Sequence, residues 1–458
     1  RKTTRKYYNN NMLRRGRLRE ELTWVDSGTL YIRKAHNCSY KDYSSGDTLG
    51  ADEECSVVSY PCSEAVFTTY YEGGSVPLLV TGELTEYDRY HNVVRYTDMG
   101  DTANHSDGLV VTFHYHSGLP HNLIGLRKDY EVTSTGSSAI LRKARFEYDI
   151  AHGKMTRQVM NNGPDNAVYD FTYDTVYGNL VSAMRPQNAT GGRMTFRYAY
   201  DSVVHTYPTM VADSYGDTVT TVYDCRFWKP LSVTDPTGST MTYSYDFAGR
   251  LVSVTSPLNT SGTPSLVNEY HPVNYDRNGF SPQGFSYNES PTHHPYDVSL
   301  HYDDNGSLIT ATAVLTNGFG RAIQTKKGLR VGVADMMQVS GRTVVDAFGR
   351  TVEQYDPVVE PCTSHWGQYN TGYSAASLTT IAYDVLDRAT STVQPLGVTT
   401  TTAYSIDDDR RVVTAVTDPN GNVTTQYADY EGRKVQVTDA NGEITLMHYD
   451  NLGQLASA

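Results

Sequence analysis

The sequence predicts an all-β repeat protein built from tandem β-hairpins. Three observations carry this prediction: tyrosines recur at a fixed period, two turn signals alternate between them, and the stretches between the turns alternate in hydrophobicity. In the regular C-terminal part, the tyrosines Tyr383, Tyr404, Tyr427 and Tyr449 lie 21, 23 and 22 residues apart. A fixed period of this size is typical of repeat architectures, in which neighbouring units bury the apolar surface that a single unit leaves exposed.

The first turn signal is Asp-Pro-X-Gly. In such a segment the aspartate bonds to the backbone, the proline presets φ at the second position and the glycine closes the turn, so the segment favours a type I turn. The sequence therefore predicts hairpin turns with structural roles for Asp235, Pro236, Gly238, Asp418, Pro419 and Gly421.

The second turn signal is Tyr-Asp-X-X-Gly-Arg and its variants. Its aspartate can form an Asx turn just ahead of a glycine that is free to adopt φ > 0, which suits a hairpin loop of four or five residues. The predicted structural turn residues of this type are Tyr245, Asp246, Gly249, Arg250, Tyr383, Asp384, Gly432, Arg433, Tyr449, Asp450 and Gly453.

The residues between the turns alternate with period two, as in a β-strand. Val423, Thr425 and Tyr427 fall on one face, and Thr424 and Gln426 fall on the other. Only 38% of the chain is hydrophobic, and tyrosine (37 residues) far outnumbers phenylalanine (11). We therefore expect a thin core, little helix, and a sheet with one apolar and one polar face, which the amphipathic tyrosine ring suits.

The spacing of the turn signals divides the chain into four parts. Residues 1–80 form a basic lead-in and an irregular β segment, and 81–257 form a first block of repeats. A Pro/Gly/Ser-rich insertion follows at 258–298, and 299–458 form a second block of repeats. A second insertion is expected at 355–377, and the whole is expected to be one continuous sheet with excursions.

The charge of the chain excludes a nucleic-acid-binding body. The net charge is −13, although the first 19 residues carry eight lysines or arginines and no acid, so the rest of the chain carries −21. Phosphate contacts need a basic face. The basic arm itself is predicted to be a solvated linker or an exterior strand. The sequence contains no run of 18 apolar residues, so no membrane insertion is predicted, and the chain resembles a fragment of a longer polypeptide.

Cysteine and histidine give no convincing site. Five cysteines are too few for a disulfide scaffold, and the spacing of Cys38, Cys55 and Cys62 leaves both one bridge and unpaired thiols open. The His114-Tyr115-His116 segment with nearby His121 falls short of a predicted metal site, because such a site needs at least three convergent ligands. The same holds for the pair at 293–294. We predict no metal and no cofactor.

No catalytic motif is present. The sequence has no Gly-X-Ser-X-Gly elbow, no phosphate-binding loop and no dinucleotide-binding glycine pattern. The recurring aspartate of the Tyr-Asp pair could in principle pair for glycoside hydrolysis. A residue that recurs in every unit at a turn is better explained as a cap of that turn, so we assign no catalytic residue and predict that the fragment is not an enzyme.

The tandem recurrence of Tyr-Asp-X-X-Gly-Arg with an Asp-Pro-X-Gly turn resembles the YD repeat of the Rhs family. This family includes Rhs proteins, teneurins and the B and C components of insecticidal Tc toxin complexes. Upstream, the segments at 15–22, 26–29 and 85–93 resemble the middle region of the Tc B component and its SpvB-linked relatives. The resemblance covers most of the chain.

The resemblance implies a spiral of β-hairpins that forms a hollow shell, or part of its wall. In the family, such a shell encloses a toxic or effector polypeptide and has a polar inner wall. The family's aspartyl self-cleavage site has an Asp-Pro-X-Gly-Leu context, which neither Asp235 nor Asp418 matches beyond the turn. The resemblance therefore implies a bacterial, secreted or cell-surface structural protein. Its expected partners are the enclosed polypeptide and the remaining repeats and N-terminal domains of the shell or of a partner subunit.

Three hypotheses follow for the function. The first is the toxin-encapsulating shell, with any protease or toxin activity outside this fragment. The second is a cell-surface adhesin or carbohydrate-binding repeat protein, in which tyrosine-rich faces would stack on sugars. The third is a glycosidase on a β-repeat frame, which would need an acidic pair in a cleft.

Overall fold

The protein is all-β, as the sequence predicts. The computed structural model describes residues 1–9, 14–25, 28–49, 58–104, 108–118, 123–162, 165–259, 262–271, 294–331, 334–361, 366–372, 377–450 and 453–458. These residues contain one 3-10 turn, Pro395–Gly397, and no α-helix. They also contain no helix that is long and apolar enough to cross a membrane.

The first and larger sheet has 24 strands. Its N-terminal strands are β1 (Lys2–Tyr7), β2 (Leu18–Trp24), β3 (Leu30–Asp42), β4 (Ser59–Tyr70), β5 (Leu79–Tyr87), β6 (Val93–Asp101), β7 (Leu109–Tyr115), β8 (Arg127–Ser134), β9 (Ile140–Asp149), β10 (Lys154–Asn162), β11 (Asp165–Tyr173) and β12 (Leu180–Gln187). Its remaining strands are β13 (Arg193–Tyr200), β14 (Pro208–Ala212), β15 (Thr218–Asp224), β16 (Lys229–Thr234), β17 (Thr240–Tyr245), β18 (Leu251–Thr255), β19 (Leu266–His271), β20 (Tyr296–Tyr302), β21 (Leu308–Thr316), β22 (Ala322–Val331), β23 (Ala334–Ser340) and β26 (Val358–Pro361).

The second sheet has nine strands, and a two-stranded sheet follows it. The second sheet comprises β24 (Thr343–Val345), β25 (Thr351–Tyr355), β27 (Leu378–Tyr383), β28 (Ala389–Val393), β29 (Thr399–Ile406), β30 (Val412–Thr417), β31 (Val423–Ala428), β32 (Lys434–Thr438) and β33 (Ile444–Leu446). The last hairpin is β34 (His448–Tyr449) and β35 (Leu455–Ser457).

Almost every strand pairs antiparallel with the next strand along the chain. Two passages are exceptions among the described strands. Between the large sheets, β23 pairs with β26 while β25 pairs with β27, and near the end of the chain β33 does not pair with β34. The β24–β25 hairpin therefore leaves the first sheet, and β26 returns to its edge. The expectation of one continuous sheet was wrong at this point, because the chain changes sheets between Ser340 and Thr343.

The predicted insertions lie partly outside the described residues. Residues 260–261 and 272–293 of the segment 258–298 are not described, and β19 and β20 on either side of the longer gap pair with each other. The sheet therefore continues across this segment. Within the predicted insertion at 355–377, Tyr355 belongs to β25, and β26 adds a strand.

The basic arm is an exterior strand. Strand β1 is largely exposed and pairs along its length with β2. Arg5 Nε donates to Glu21 (2.6 Å), and Lys6 Nζ donates to Glu20 (2.7 Å). Two of the arm's eight positive charges are thus paired with carboxylates of the neighbouring strand.

The two faces of the sheet are less distinct than the alternation predicts. Tyr427 lies opposite Gln436, and Gln426 lies opposite Val437. Residues directly opposite each other in an antiparallel pair share a face, so each face mixes apolar and polar side chains. The prediction of one apolar and one polar face was wrong here, because the register pairs unlike residues across the strands.

The protein has a small hydrophobic core for its length. In the described part, only thirteen hydrophobic residues are buried. The accessible surface is 27,726 Å², whereas a compact protein of this mass exposes about 17,000 Å². In β4, β14 and β18 every residue is half-buried, so both faces of the sheet are partly exposed.

The densest packing lies on β20 to β23. Six of the thirteen buried hydrophobic residues lie on these strands, namely Val298, Ala311, Ala313, Leu315, Met337 and Val339. Beside them, Gln324 uses both ends of its amide to bond the backbone of Asn370, at 2.8 and 3.0 Å. Lys326, only 2% exposed, donates to Glu360 at 2.7 Å beside a cavity of about 270 Å³. These bonds fix the segment 366–372 over the sheet.

Candidate functional site: the repeat turns

The aspartate of the Tyr-Asp motif organises each turn. At Asp246, Oδ1 accepts the backbone N–H groups of Ala248 and Arg250, both at 2.9 Å. The Gly249 N–H donates to the Asp246 carbonyl at 3.0 Å, with φ of +76° at the glycine. Five residues separate β17 from β18, and the closing bond from Asp246 N–H to the Arg250 carbonyl (3.0 Å) leaves three of them in the loop. The turn is a type I turn followed by a left-handed residue.

The arginine of the motif then binds the other oxygen of the same aspartate. Arg250 Nε donates to Asp246 Oδ2 at 2.7 Å. Burial alone would raise the pKa of Asp246, but the bonds from the Arg250 backbone and guanidinium outweigh burial and lower it. The same four-residue pairing, at 2.6 to 2.8 Å, occurs at Asp346–Arg350, Asp384–Arg388, Asp407–Arg411 and Asp429–Arg433.

The tyrosine of the motif joins each unit to the one before it. Its hydroxyl donates to a backbone carbonyl at the preceding turn on the same edge of the sheet. The accepting residue is the one that directly follows the basic residue of that turn. Burial raises the pKa of Tyr245, which keeps this hydroxyl protonated as a donor. The bonds are Tyr245 to Pro230 (2.9 Å), Tyr383 to Thr351 (2.8 Å), Tyr404 to Ala389 (3.0 Å) and Tyr449 to Lys434 (2.9 Å).

The arginine also covers the tyrosine ring of the next unit. A guanidinium over an aromatic face gains a cation–π attraction in addition to the area that it buries. The distances from guanidinium carbon to ring centroid are 4.3 Å for Arg250 and Tyr270, 5.0 Å for Arg350 and Tyr383, 4.5 Å for Arg388 and Tyr404, 4.6 Å for Arg411 and Tyr427, and 5.3 Å for Arg433 and Tyr449. We call this row of stacked pairs the tyrosine–arginine ladder.

The Asp-Pro-X-Gly turns occupy the opposite edge of the sheet. Asp235 Oδ1 accepts the N–H groups of Thr237 (2.8 Å) and Ser239 (3.0 Å), and Gly238 has φ of +87°. Asp418 accepts those of Asn420 and Asn422, both at 2.8 Å, and Gly421 has φ of +85°. Pro236 and Pro419 fill the second position. Both edges therefore use the same turn geometry, but only one edge carries the ladder.

The last unit departs from the pattern. Asp450 caps the Gln454 N–H at 2.8 Å, and Gly453 N–H donates to the Asp450 carbonyl at 2.9 Å. Glutamine replaces the arginine here. The structure nevertheless brings Tyr449 under Arg433, whose own turn contains Gly432 at φ of +81°.

Some turns place a larger residue where glycine is expected. His205 (φ +55°) stacks on Tyr177 with ring centroids 3.7 Å apart, and Trp228 (φ +55°) stacks on Tyr207 at 4.7 Å. Left-handed backbone is unfavourable for such residues unless the surroundings fix it. The sequence analysis missed these contacts, and their only signal is the absence of glycine at a turn that is otherwise regular.

The histidines and cysteines form no cluster in the described part of the chain. His114 Nδ1 lies 2.5 Å from Asp129 Oδ1, and His116 packs its ring edge-on against Tyr148. His121 and His293 lie outside the described residues, and the described ones contain no group of three or more potential metal ligands. Cys38, Cys62 and Cys225 are free thiols, whereas Cys55 and Cys362 lie outside the described residues.

Two segments of the chain match the RHS repeat family model, namely residues 229–261 and 407–444. Both segments contain turns of each type. A search of curated proteins finds no match.

Solved structures match over nearly the whole chain. The crystal structure of TcdB2-TccC3-Cdc42 matches with a TM-score of 0.71 and 13% identity, and covers 96% of this chain and 31% of its own. The Photorhabdus luminescens Tc holotoxin pore matches with a TM-score of 0.70 and 14% identity, covering 96% and 30%. This chain thus spans about a third of the length of these chains. At this identity the match shows a shared fold. The chain therefore contains two segments that match the RHS repeat, and it shares its fold with these solved structures.

Proposed function

We propose that this chain forms part of the wall of a hollow β-shell in a bacterial toxin or effector delivery protein. In this proposal the shell encloses a toxic polypeptide, which is carried on the same polypeptide or on a partner chain. The remaining repeats and N-terminal domains of the protein, or a partner subunit, complete the shell. The chain itself has no enzymatic role, inserts into no membrane and binds no nucleic acid, and the assembly is secreted or cell-surface.

The observation that carries the proposal is that both faces of the sheet are partly exposed, since every residue of β4, β14 and β18 is half-buried. The chain exposes 27,726 Å², against about 17,000 Å² for a compact protein of its mass. A sheet of this size that exposes both faces is the form that a container wall requires. An adhesin or enzyme would more commonly pack a second layer against the sheet and so bury one face.

The mixed character of both faces also supports this proposal. Polar and apolar residues alternate across the register, as at Tyr427 and Gln436. Such a face can contact an unfolded polypeptide without offering it a large apolar patch. A stacked second sheet, by contrast, needs a continuous apolar face.

Limited proteolysis of the complete natural polypeptide tests the proposal, with intact-mass readout and the segment beyond residue 458 expressed alone as control. If the repeats shelter that segment, it survives together with them under native conditions but is digested quickly on its own. If it is cut at once while the repeats stay whole, nothing is sheltered, and the proposal fails in favour of the adhesin hypothesis.

A further inference from the structure

Two turns of the first sheet lie against two turns of the second. Glu72, in the β4–β5 turn, accepts two bonds from Arg388 of the β27–β28 turn, at 2.7 Å to Oε2 and 3.2 Å to Oε1. Asp101, at the end of β6, accepts from Arg410 of the β29–β30 turn at 2.8 Å. Each contact joins residues more than 300 positions apart in the sequence.

The two contacts fit one regular alignment of sheet edges. The β4–β5 and β6–β7 turns are successive turns on one edge of the first sheet, and the β27–β28 and β29–β30 turns are successive turns on one edge of the second. Neighbouring strands lie about 4.8 Å apart, so successive turns on an edge repeat at about 9.6 Å in both sheets. The edges can therefore meet turn against turn.

A third contact extends the row. Asp387, next to Arg388, forms an ion pair with Arg1 at the start of the chain and accepts from Arg350 Nη1 at 3.0 Å. Arg1 precedes β1, whose first residue pairs with the end of β2 on the same edge as Glu72. The row thus has three ion pairs across the sheets: Glu72–Arg388, Asp101–Arg410 and Arg1–Asp387.

Backbone conformation marks the same residues. Seven non-glycine residues among those described have positive φ, and three of them are Glu72 (46°), Asp387 (65°) and Arg410 (63°). Glycine fills the equivalent position of most other turns, because a side chain is disfavoured there. Here a charged side chain takes the strained position and bonds across the sheets, which is the pattern expected where a contact offsets strain.

Burial of the acid separates two of the three pairs, Glu72–Arg388 and Asp101–Arg410, from ordinary surface ion pairs. The side chains of Glu72 and Asp101 are 9% and 10% exposed. A buried carboxylate is unfavourable without its counter-charge, so the arginine from the other sheet stabilises each acid. Asp101 Oδ1 also accepts the Ala103 N–H at 3.0 Å. No strand of the first sheet packs extensively against a strand of the second in the described part of the chain. The turns thus carry the contact.

We propose that these three ion pairs form an electrostatic latch, the ionic seam, that holds the two sheets edge to edge. When the pairs are weakened, the seam opens and the sheets separate along these turns while the hairpins on both sides remain folded. This inference concerns only the contact between the edges of the two sheets and does not depend on an enclosed polypeptide.

Hydrogen exchange with mass spectrometry on the complete chain tests the seam. Raising the salt from about 0.05 M to about 0.5 M shortens the screening length severalfold. Salt screens exposed pairs more than buried ones. We therefore expect exchange to become about tenfold faster at the turn containing Asp387, whose pair with Arg1 is exposed, and to rise by a smaller factor at the turns containing Glu72 and Arg410. The turns at 418–422 and 439–443, on the opposite edge, serve as internal controls and should change little.

The variant Arg410→Gly separates a latch from a local turn effect. Glycine relieves the positive φ at position 410, so a merely local role predicts slower or unchanged exchange at this turn. A latch predicts faster exchange there and around Asp101 on the other sheet, again by about tenfold.

The reversed pair Asp101→Arg with Arg410→Asp provides the rescue, since aspartate tolerates left-handed backbone better than most residues. It should restore protection on both sheets, whereas Asp101→Arg alone should not. Unchanged exchange in Arg410→Gly, or acceleration that spreads equally to the control turns, would overturn the proposal.

Discussion

Two regions of the molecule are stable for different reasons. On β20 to β23, apolar side chains such as Leu315 and Met337 are fully buried, and the segment 366–372 covers the sheet. In the second sheet, Val413 is the one buried hydrophobic residue among those described. There the turns, the tyrosine–arginine ladder and the backbone pairing replace a core. A repeat sheet can thus remain thin where its turns are regular, and it needs local packing where the regular pattern ends.

The largest test of this contrast is Leu315→Ala. Leu315 has no exposed surface, and its truncation leaves a cavity in the most densely packed region that the structure describes. We expect the free energy of unfolding in urea to fall by about 3 kcal/mol. For a matched pair, Val339→Ala in this region and Val413→Ala in the second sheet remove the same two methyl groups, and we expect losses of about 2.5 and about 1.5 kcal/mol. Equal losses would show that the two regions do not differ in packing.

Lys326→Met tests the polar part of the same region. The variant removes the ammonium and leaves Glu360, 21% exposed, without this partner. We expect a loss of about 2 kcal/mol in urea unfolding, below the loss for a fully buried pair because Glu360 is partly solvated. The double variant with Glu360→Gln should regain most of the loss. If it does not, packing of the lysine stem matters more than its charge.

Acid should act on the turns before it acts on the packed region. Hydrogen bonds from the Arg226 side chain lower the pKa of Asp224 to about 2, and a side-chain bond from Asn422 lowers that of Asp418. A carboxyl with a lowered folded pKa stabilises the fold above its unfolded pKa of about 4, and this stability is lost as the pH falls toward the folded value.

Hydrogen exchange at stepwise lower pH, corrected for the intrinsic rate, measures this order. Between pH of about 4 and 2, protection should fall first at the turns and later on β21 to β23. Asp418→Asn keeps an acceptor but no longer titrates, so its turn should lose this pH dependence. Simultaneous loss in both regions would contradict separate sources of stability.

The smallest expected effect is that of removing one hydrogen bond from a tyrosine hydroxyl to the backbone. Tyr404→Phe removes the bond from the tyrosine hydroxyl to the Ala389 carbonyl while the ring stays under Arg388. We expect a loss of about 1 kcal/mol. Tyr215→Phe, at a hairpin tip where the residue is 78% exposed, is the control and should change stability very little. A similar effect in both would show that the bond from the Tyr404 hydroxyl to the Ala389 carbonyl contributes nothing to stability.

The sequence was sufficient for those features that depend on neighbouring residues. Asp418-Pro419-Asn420-Gly421 and Asp246 to Arg250 contain their own turn chemistry, and period two between them predicts the strands. The ladder was missed because Arg388 meets Tyr404 across a hairpin, and a motif does not show where a side chain reaches. The change of sheet at Ser340 was missed because β23 pairs with β26 instead of the next strand. The seam joins turns that lie over 300 residues apart, and a short-range sequence periodicity does not predict contacts at such separations.

The neighbour-to-neighbour pairing of the strands has a consequence for the order of folding. Most pairs close over a few residues, so each hairpin can form soon after its residues are synthesised, and contacts of this low sequence separation form quickly. The β23–β26 pair and the ionic seam require distant parts of the chain, and we expect them to form last. Pulsed hydrogen exchange during refolding should therefore find the hairpins protected before the seam turns. Simultaneous protection would show that assembly is concerted instead of sequential.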